Sequence, residues 1–296
     1  MNQQDTTADL LQLILDAHDL QVRIYATPRL CGTWQGIHPS TYQASFHLIG
    51  RGACWLHMRH LRTPVPLRSG DLILLPQDDW HLLSSEPRPM GEESVPGDLE
   101  GPVTAMVCGE IRFNRLAHNP LLDALPNLLV IRQGEGSKNL ELLARLIASE
   151  AEDMGLGNVL VLNRLAEALF VVILRHHLKH GENKKGLLAA VADPRLARAL
   201  LAIHRQPEDR WQVAGLAKVA GMSRTVFAQR FAEVLGQTPI EYLTRWRMQL
   251  AQQWLRERRE PVAVVAKRLG YETETAFRRA FQRITGMTPG RLRRLG

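Results

Sequence analysis

The apolar positions of the chain change their period along its length, and each change marks a different kind of element. Residues 7–19 repeat apolar side chains at helical spacing, Leu10, Leu11, Ile14 and Leu15, behind Thr7 as a cap, which predicts a short leading helix. From about Val22 to Gly109 the pattern shifts to short alternating segments broken by Gly and Pro. The best of these are YQASFHLIG (42–50), ACWLHMRHL (53–61), DLILLP (71–76) and PVTAMVCGE (102–110). Many short strands with turn residues between them predict an antiparallel barrel or sandwich. The stretch 84–101, dense in Ser, Pro, Gly and Glu, is expected to be an exposed, mobile loop.

Helical spacing returns at Ser137 and continues through residues 139–154 and 158–180. The second of these segments is apolar around much of its circumference. It is expected to bury more than one face, against its own domain and against a second subunit. The polar run HGENKKG (180–186) breaks the pattern, and from Asp193, with Pro194 at a first-turn position, the chain reads as helical to its end. The fold class expected is therefore α+β. Residues 1–183 form a β-rich domain with a helical extension, 184–192 a linker, and 193–296 an all-helical domain.

Charge sharpens this division. The 296 residues carry a net charge of +7, yet residues 1–183 hold 15 basic against 21 acidic side chains while 184–296 hold 22 against 9. The positive charge belongs to the helical part, as a polyanion-binding domain requires. A chain that is 45% apolar and 23% charged is of the folded soluble class. No run reaches eighteen apolar residues, and the acidic N-terminus lacks a basic region before its apolar run, so neither a membrane span nor a secretory signal is expected and the cytoplasm is the expected compartment. Three cysteines, Cys31, Cys54 and Cys108, with no CxxC, argue against a disulfide framework or zinc ribbon and suit buried small hydrophobes.

The basic part contains one pattern twice. LAKVAGMSRTVFAQRFAEVLGQTP (216–239) is followed by VAKRLGYETETAFRRAFQRITGMTP (265–289). Ala217 and Gly221 match Ala266 and Gly270 at an offset of 49; Phe227, Phe231, Gly236 and Pro239 match Phe277, Phe281, Gly286 and Pro289 at an offset of 50. The second turn thus holds one extra residue. Each copy predicts a short helix, a glycine-led sharp turn, a cap at Ser223 or Thr273, and a second helix whose paired Phe side chains face the core. The opposite faces carry Thr225, Ala228 and Gln229, then Glu274, Thr275 and Arg279, suited to base edges in a major groove. Arg224, Arg230, Arg245, Arg247, Lys267, Arg268, Arg278 and Arg283 are candidates for phosphate contacts. Between the copies, residues 239–257 predict a long helix whose Leu243, Trp246, Leu250 and Leu255 hold the two units at fixed spacing.

With GMSR at 221–224, F-x-x-x-F at 227–231, G-x-x-P at 236–239, YLTRWRM at 242–248, GY at 270–271 and a second F-x-x-x-F and G-x-x-P, the chain resembles the AraC/XylS family of bacterial regulators. The resemblance implies a sequence-specific DNA-binding transcription regulator, and it places base contacts at the six outward residues just named. FHLIGRGACWL (46–56), GDLILLPQDDWHLL (70–83) and VCGEIRF (107–113) resemble the cupin-like N-terminal domain of one subgroup, which implies effector binding, dimerisation or both. Double-stranded DNA, a small-molecule effector, a second copy of the chain and RNA polymerase are the partners implied.

The spacing Gly70, Pro76, Asp78, His81 resembles the second motif of metal-binding cupins, and His47, His81 and Cys108 are suitable ligands for zinc or another transition metal. Against a metal, the first cupin motif needs H-x-H and His47 is followed by Leu48 and Ile49. A metal site, a metal-free effector pocket lined by Phe46, His47, Trp55, Trp80, His81 and Cys108, and a structural role for these residues stay open, so no cofactor is assigned. The alternatives to an effector-responsive regulator are a constitutive dimeric regulator, an architectural DNA binder, and a cupin metalloenzyme fused to a DNA-binding domain. Without a Gly-rich phosphate loop or HExxH motif, nothing nominates a catalytic residue.

Overall fold

The computed structural model describes residues 3–17, 20–38, 44–77, 79–91, 93–98, 100–113, 119–153, 155–181, 185–256 and 258–295. Packing divides the chain into two units. One is Asp19–Glu182, and the other joins Met1–His18 to Asn183–Gly296.

Among the described residues the first unit holds ten strands, β1 (Gln21–Ala26), β2 (Arg29–Cys31), β3 (Gln35–His38), β4 (Ala44–Arg51), β5 (Ala53–Met58), β6 (Val65–Arg68), β7 (Leu72–Leu75), β8 (His81–Ser84), β9 (Val103–Arg112) and β10 (Leu129–Ile131). They pair antiparallel in two sheets, ordered β1-β9-β4-β7-β10 with β2 also on β9, and β3-β8-β5-β6. Trp34, Ile49, Cys54, Leu56, Ile73, Leu75, Leu83, Met106 and Cys108 come from both sheets and form one buried cluster. Odd-numbered positions of β4 look into that cluster. Its even-numbered positions look outward to α2 (Lys138–Glu152), where a side chain on Gly50 would touch Ala148 at 3.3 Å. With both faces covered, β4 is buried over its first six residues, the polar Ser45 and His47 included. Ser137 caps α2, and α3 (Asn158–His180) is tied to the sheet edge by Asn163, whose Oδ1 accepts from the Ile24 amide at 2.8 Å. The stretch 84–101, expected to be a mobile loop, is pinned to the sheet: Gln35 and Val95 exchange both backbone bonds, and the Asp98 amide donates to the Cys31 carbonyl.

The second unit holds α1 (Gln3–Ala17), α4 (Leu187–Ala192), α5 (Pro194–Arg205), α6 (Val213–Ala220), α7 (Arg224–Leu235), α8 (Pro239–Arg256), α9 (Val262–Arg268), α10 (Glu274–Thr285) and α11 (Pro289–Leu295). Two features depart from the sequence expectation. The leading helix, placed by chain order with the β-rich domain, packs its buried Leu10, Leu11, Ile14 and Leu15 in the helical unit, where Asp9 meets Arg205 at 2.5 Å. Most of the expected linker 184–192 is α4, an apolar turn and a half whose Leu187, Leu188, Ala189, Ala190 and Val191 are all buried. Its six residues are too apolar to stay in water. The mixed α+β architecture is otherwise as expected, and among the described residues no helix is long and apolar enough to cross a membrane.

Candidate nucleic-acid interface and intersheet cluster

Each copy of the repeat is a short helix, a glycine turn and a capped helix, and the turn bonds match one for one. Gly221 and Met222 donate to the carbonyls of Lys218 and Ala217; Gly270 and Tyr271 donate to those of Lys267 and Ala266. Both glycines are left-handed, at φ 68° and 75°, a conformation that ends a helix without a Cβ clash. Ser223 then accepts from the Val226 amide and Thr273 from the Ala276 amide, opening α7 and α10. One residue, Met222, stands between glycine and cap in the first copy, and two, Tyr271 and Glu272, in the second. The Phe pairs lie fully buried with rings 5.5 Å apart in α7 and 5.7 Å in α10, so the opposite faces of both helices are left outward.

On the outward face of α7, Arg224, Thr225, Gln229 and Arg230 are exposed and Ala228 is half-buried. The Gln229 amide donates to Glu233 at 2.9 Å, and Arg230 approaches Asp193 at 3.5 Å. On α10, Thr275, Arg278, Arg279 and Arg283 are exposed and Glu274 is half-buried. Arg278 is not a bare charge, since its Nε donates to Glu274 at 2.6 Å. Arg279 makes no ion pair with a described residue, so it is the more available of the two. Lys267 and Arg245 are exposed, while Arg268 stacks 4.1 Å over Trp254 and pairs with Glu260 at 3.2 Å.

Arg247 departs from the expected phosphate contact. It is half-buried, its Nε donating to the Pro207 carbonyl at 2.6 Å and its Nη2 to that of Asp209 at 2.9 Å, with Tyr271 beneath it at 5.5 Å. Arg210 from the same α5–α6 loop reaches Glu272 at 2.9 Å. A Cβ on Gly270 would lie 2.0 Å from the Glu208 carbonyl oxygen. The loop is therefore gripped between α8 and the turn of the second copy, and that grip, alongside α8 itself, fixes how the two copies stand. Sequence periodicity gave no sign of it, because an arginine on an amphipathic helix reads as surface.

In the β-rich unit, three of the six residues expected to line a pocket come together. His81 Nδ1 lies 2.9 Å from the Asp79 carbonyl, His81 Nε2 lies 2.8 Å from His47 Nε2, and His47 Nδ1 lies 3.1 Å from Cys108 Sγ. A carbonyl only accepts, so His81 donates from Nδ1, His47 donates to His81, and the Cys108 thiol donates to His47. Burial fits this neutral relay: it holds His47 well below the usual histidine range, with His81 and His38 adding to the effect, and it pushes the Cys108 thiol up to about 12. His38, paired in register with His81, and Tyr25, stacked on His38 at 5.4 Å, complete the cluster. Neither was expected, because only the strand pairing brings them there.

Phe46, Trp55 and Trp80 lie elsewhere. Phe46 alternates with His47 to the other face of β4 and packs over Gly109; Trp55 alternates with the core residues Cys54 and Leu56 to the outside of β5; Trp80 lies under Arg59 at 5.1 Å. Among the described residues no group of three or more His, Cys, Asp or Glu is arranged to hold a metal ion. The relay explains this, as Cys108 and His81 sit on opposite edges of the His47 ring and their donors do not converge. Asp78, the remaining member of the proposed metal motif, lies outside the described residues. Two further polar groups face the same interior without a partner among the described residues: Trp34 Nε1, within the buried cluster, and Ser45 Oγ, on the His47 side of β4.

Family models match the chain twice, a Cupin model over residues 9–179 and a Helix-turn-helix domain model over 216–295. A putative AraC-like transcription regulator of Streptomyces antibioticus is 32% identical over 302 residues, covering 98% of each chain. The RCS-specific HTH-type transcriptional activator RclR of Escherichia coli is 30% identical over 251 residues, covering 84% of this chain and 83% of its own. Among solved structures, the DNA-binding domain of AdpA in complex with a target DNA is 32% identical with a TM-score of 0.33, covering 35% of this chain and 92% of that one.

Proposed function

Because the chain belongs to the AraC-like family of DNA-binding transcription regulators, a cupin-type domain and a helix-turn-helix domain in one polypeptide, we propose that it reads two neighbouring DNA segments with α7 and α10 and answers to a small molecule taken up between its sheets. The observation that carries the reading is the matched pair of turns, each ending in a capped helix with an outward polar face. In this account Thr225, Ala228 and Gln229 meet bases of one segment, and Glu274, Thr275 and Arg279 those of the other. Ala228 offers only an apolar contact, suited to a thymine methyl. Arg224, Arg230, Arg245, Lys267, Arg268, Arg278 and Arg283 neutralise phosphates, whereas Arg247 works inside the protein. Selection of duplexes from a random-sequence pool tests this. A preferred sequence bound at least about a thousandfold tighter than unrelated DNA is expected, and equal affinity for all duplexes would replace the regulator by an architectural binder.

The unpartnered Trp34 Nε1 and Ser45 Oγ support an occupant between the sheets, because buried polar groups are rarely left unmatched. Such an occupant accepts from the indole and exchanges a hydrogen bond with the serine. A protein whose DNA affinity is unchanged by every small molecule screened would be the constitutive regulator instead. Exposed Leu142 and Leu146, one turn apart on α2, and Val159 and Leu160 at the start of α3 support a second copy of the chain as partner. Leu142→Glu with Leu146→Glu should halve the mass measured in solution. RNA polymerase as a further partner and the cytoplasm as compartment fit a regulator of transcription.

A further inference from the structure

Beside α10 lies a cavity of about 520 Å³ lined by Arg259, Val262, Arg278, Gly290, Arg293 and Arg294. Among the described residues its lining holds four arginines and no carboxylate side chain; Glu274 touches Arg278 from the helix itself, and Arg259 has an interaction of its own. Like charges gathered around one space repel one another, so the arrangement favours an anionic occupant. Arg259 carries a left-handed backbone at φ 50°, rare for a residue with a Cβ, and it stands in the α8–α9 connection where its guanidinium helps line the cavity.

The internal repeat shows that three of these four arginines have no arginine counterpart in the first copy. At an offset of 50, Arg278, Arg293 and Arg294 correspond to Ala228, Leu243 and Thr244 of the first copy. Leu243 is buried. Arg259 corresponds at an offset of 49 to Arg210, whose guanidinium is taken by Glu272. The first copy thus stands without arginine at three of these four positions, and the second carries all four on the flank of its outward helix.

The geometry points to a phosphate-binding site in this cavity that holds the DNA backbone bordering the segment read by α10. The site rests on the DNA reading above and adds Arg259, Arg293 and Arg294 to it. Several guanidinium forks around a concavity match phosphodiester oxygens, which a flat lysine surface would hold only as point charges. The first copy, with arginine at one of the four positions and that one paired with Glu272, holds its segment more loosely.

The test uses the full chain and a duplex it selects from a random-sequence pool. Arg293→Gln with Arg294→Gln should lower the slope of log affinity against log salt by about 2, so that raising salt from about 50 to about 200 mM costs roughly tenfold less affinity than in the unchanged protein. Ethylation of phosphates bordering the α10 segment should interfere less with the variant than with the unchanged protein, since Arg259 and Arg278 remain, while the α7 segment and base preference stay as they were. Arg293→Lys with Arg294→Lys should keep the slope, and its loss there overturns the site. A Gln variant with an unchanged slope and phosphate pattern also overturns it and turns attention to an acidic protein surface. A chain that selects no duplex at all would instead remove the DNA reading itself, a result recognisable before any variant is made.

Discussion

The two helix-turn-helix copies share a backbone pattern and differ in what holds them. The first copy leans on the helices before it: Arg198 donates to the Ala220 carbonyl at 2.9 Å, Gly186 to that of Val234 at 2.7 Å, and Arg230 approaches Asp193. The second copy leans on the α5–α6 loop and on α8, through Gly270 against Glu208, Tyr271 beneath Arg247, and Glu272 with Arg210. The extra residue in the second turn is therefore where the connection is made. Duplication supplied two equal readers, and the added residue with its partners supplies their fixed spacing.

The largest effect expected from this difference is at the turn glycines. Gly270→Ala puts a Cβ on a backbone carbonyl and demands a left-handed alanine, so it should destabilise the helical unit by about 3 kcal/mol or more. Gly221→Ala meets only the flexible end of Arg198 at 3.3 Å and should cost about 1–2 kcal/mol. Urea unfolding of the two variants measures both, and equal losses would break the contrast. Next comes Arg247→Leu, which keeps much of the packing but removes charged bonds to two carbonyls, worth about 1.5–3 kcal/mol. Its distinguishing mark is in binding: affinity for a duplex carrying both segments should fall far more than affinity for either segment alone. Equal losses would mean that Arg247 does not set the spacing.

Between the outward faces the expected differences are smaller. Arg279→Ala should relax preference at one base step by about 1–3 kcal/mol, whereas Arg283→Ala should weaken all DNA alike. Glu274→Gln unmasks Arg278, and the salt slope should steepen by at most about 1. A wild-type slope would show that the ion pair is already open on DNA.

The smallest effect lies at the bends. In the first, Thr238 donates from its amide and hydroxyl to Glu241 at 2.9 and 2.8 Å, holding that carboxyl below the usual range; in the second, Arg291 stands in Glu241's place and only its amide reaches Thr288. A carboxyl whose folded pKa is depressed contributes stability above its unfolded value, near 4.5, and loses it as pH falls through the folded value. The Tm difference between wild type and Glu241→Gln should accordingly shrink on acidification below that point. A difference constant with pH would remove Glu241 from the account.

Much of this comparison was legible in the residues. The repeat, its one-residue insertion, the caps at Ser223 and Thr273 and the buried Phe pairs follow from local spacing, which backbone geometry converts directly into structure. What the sequence did not reveal depends on partners far along the chain. Arg247 turns inward because carbonyls of the α5–α6 loop await it, and α1 joins the helical unit because its apolar face fits there. His38 and Tyr25 join His47, His81 and Cys108 through strand register, which no single strand encodes. Phe46 and Trp55 were nominated for their apolar character, but alternation along β4 and β5 sends them to other faces.

Two coupled readers on one duplex should leave their mark in missing-base interference on the selected sequence with the full-length protein. Two clusters of essential bases are expected, centred about one helical turn apart, roughly 10 base pairs, with the α10 cluster the stronger. A single cluster, or two whose separation varies freely among selected sequences, would contradict the coupling.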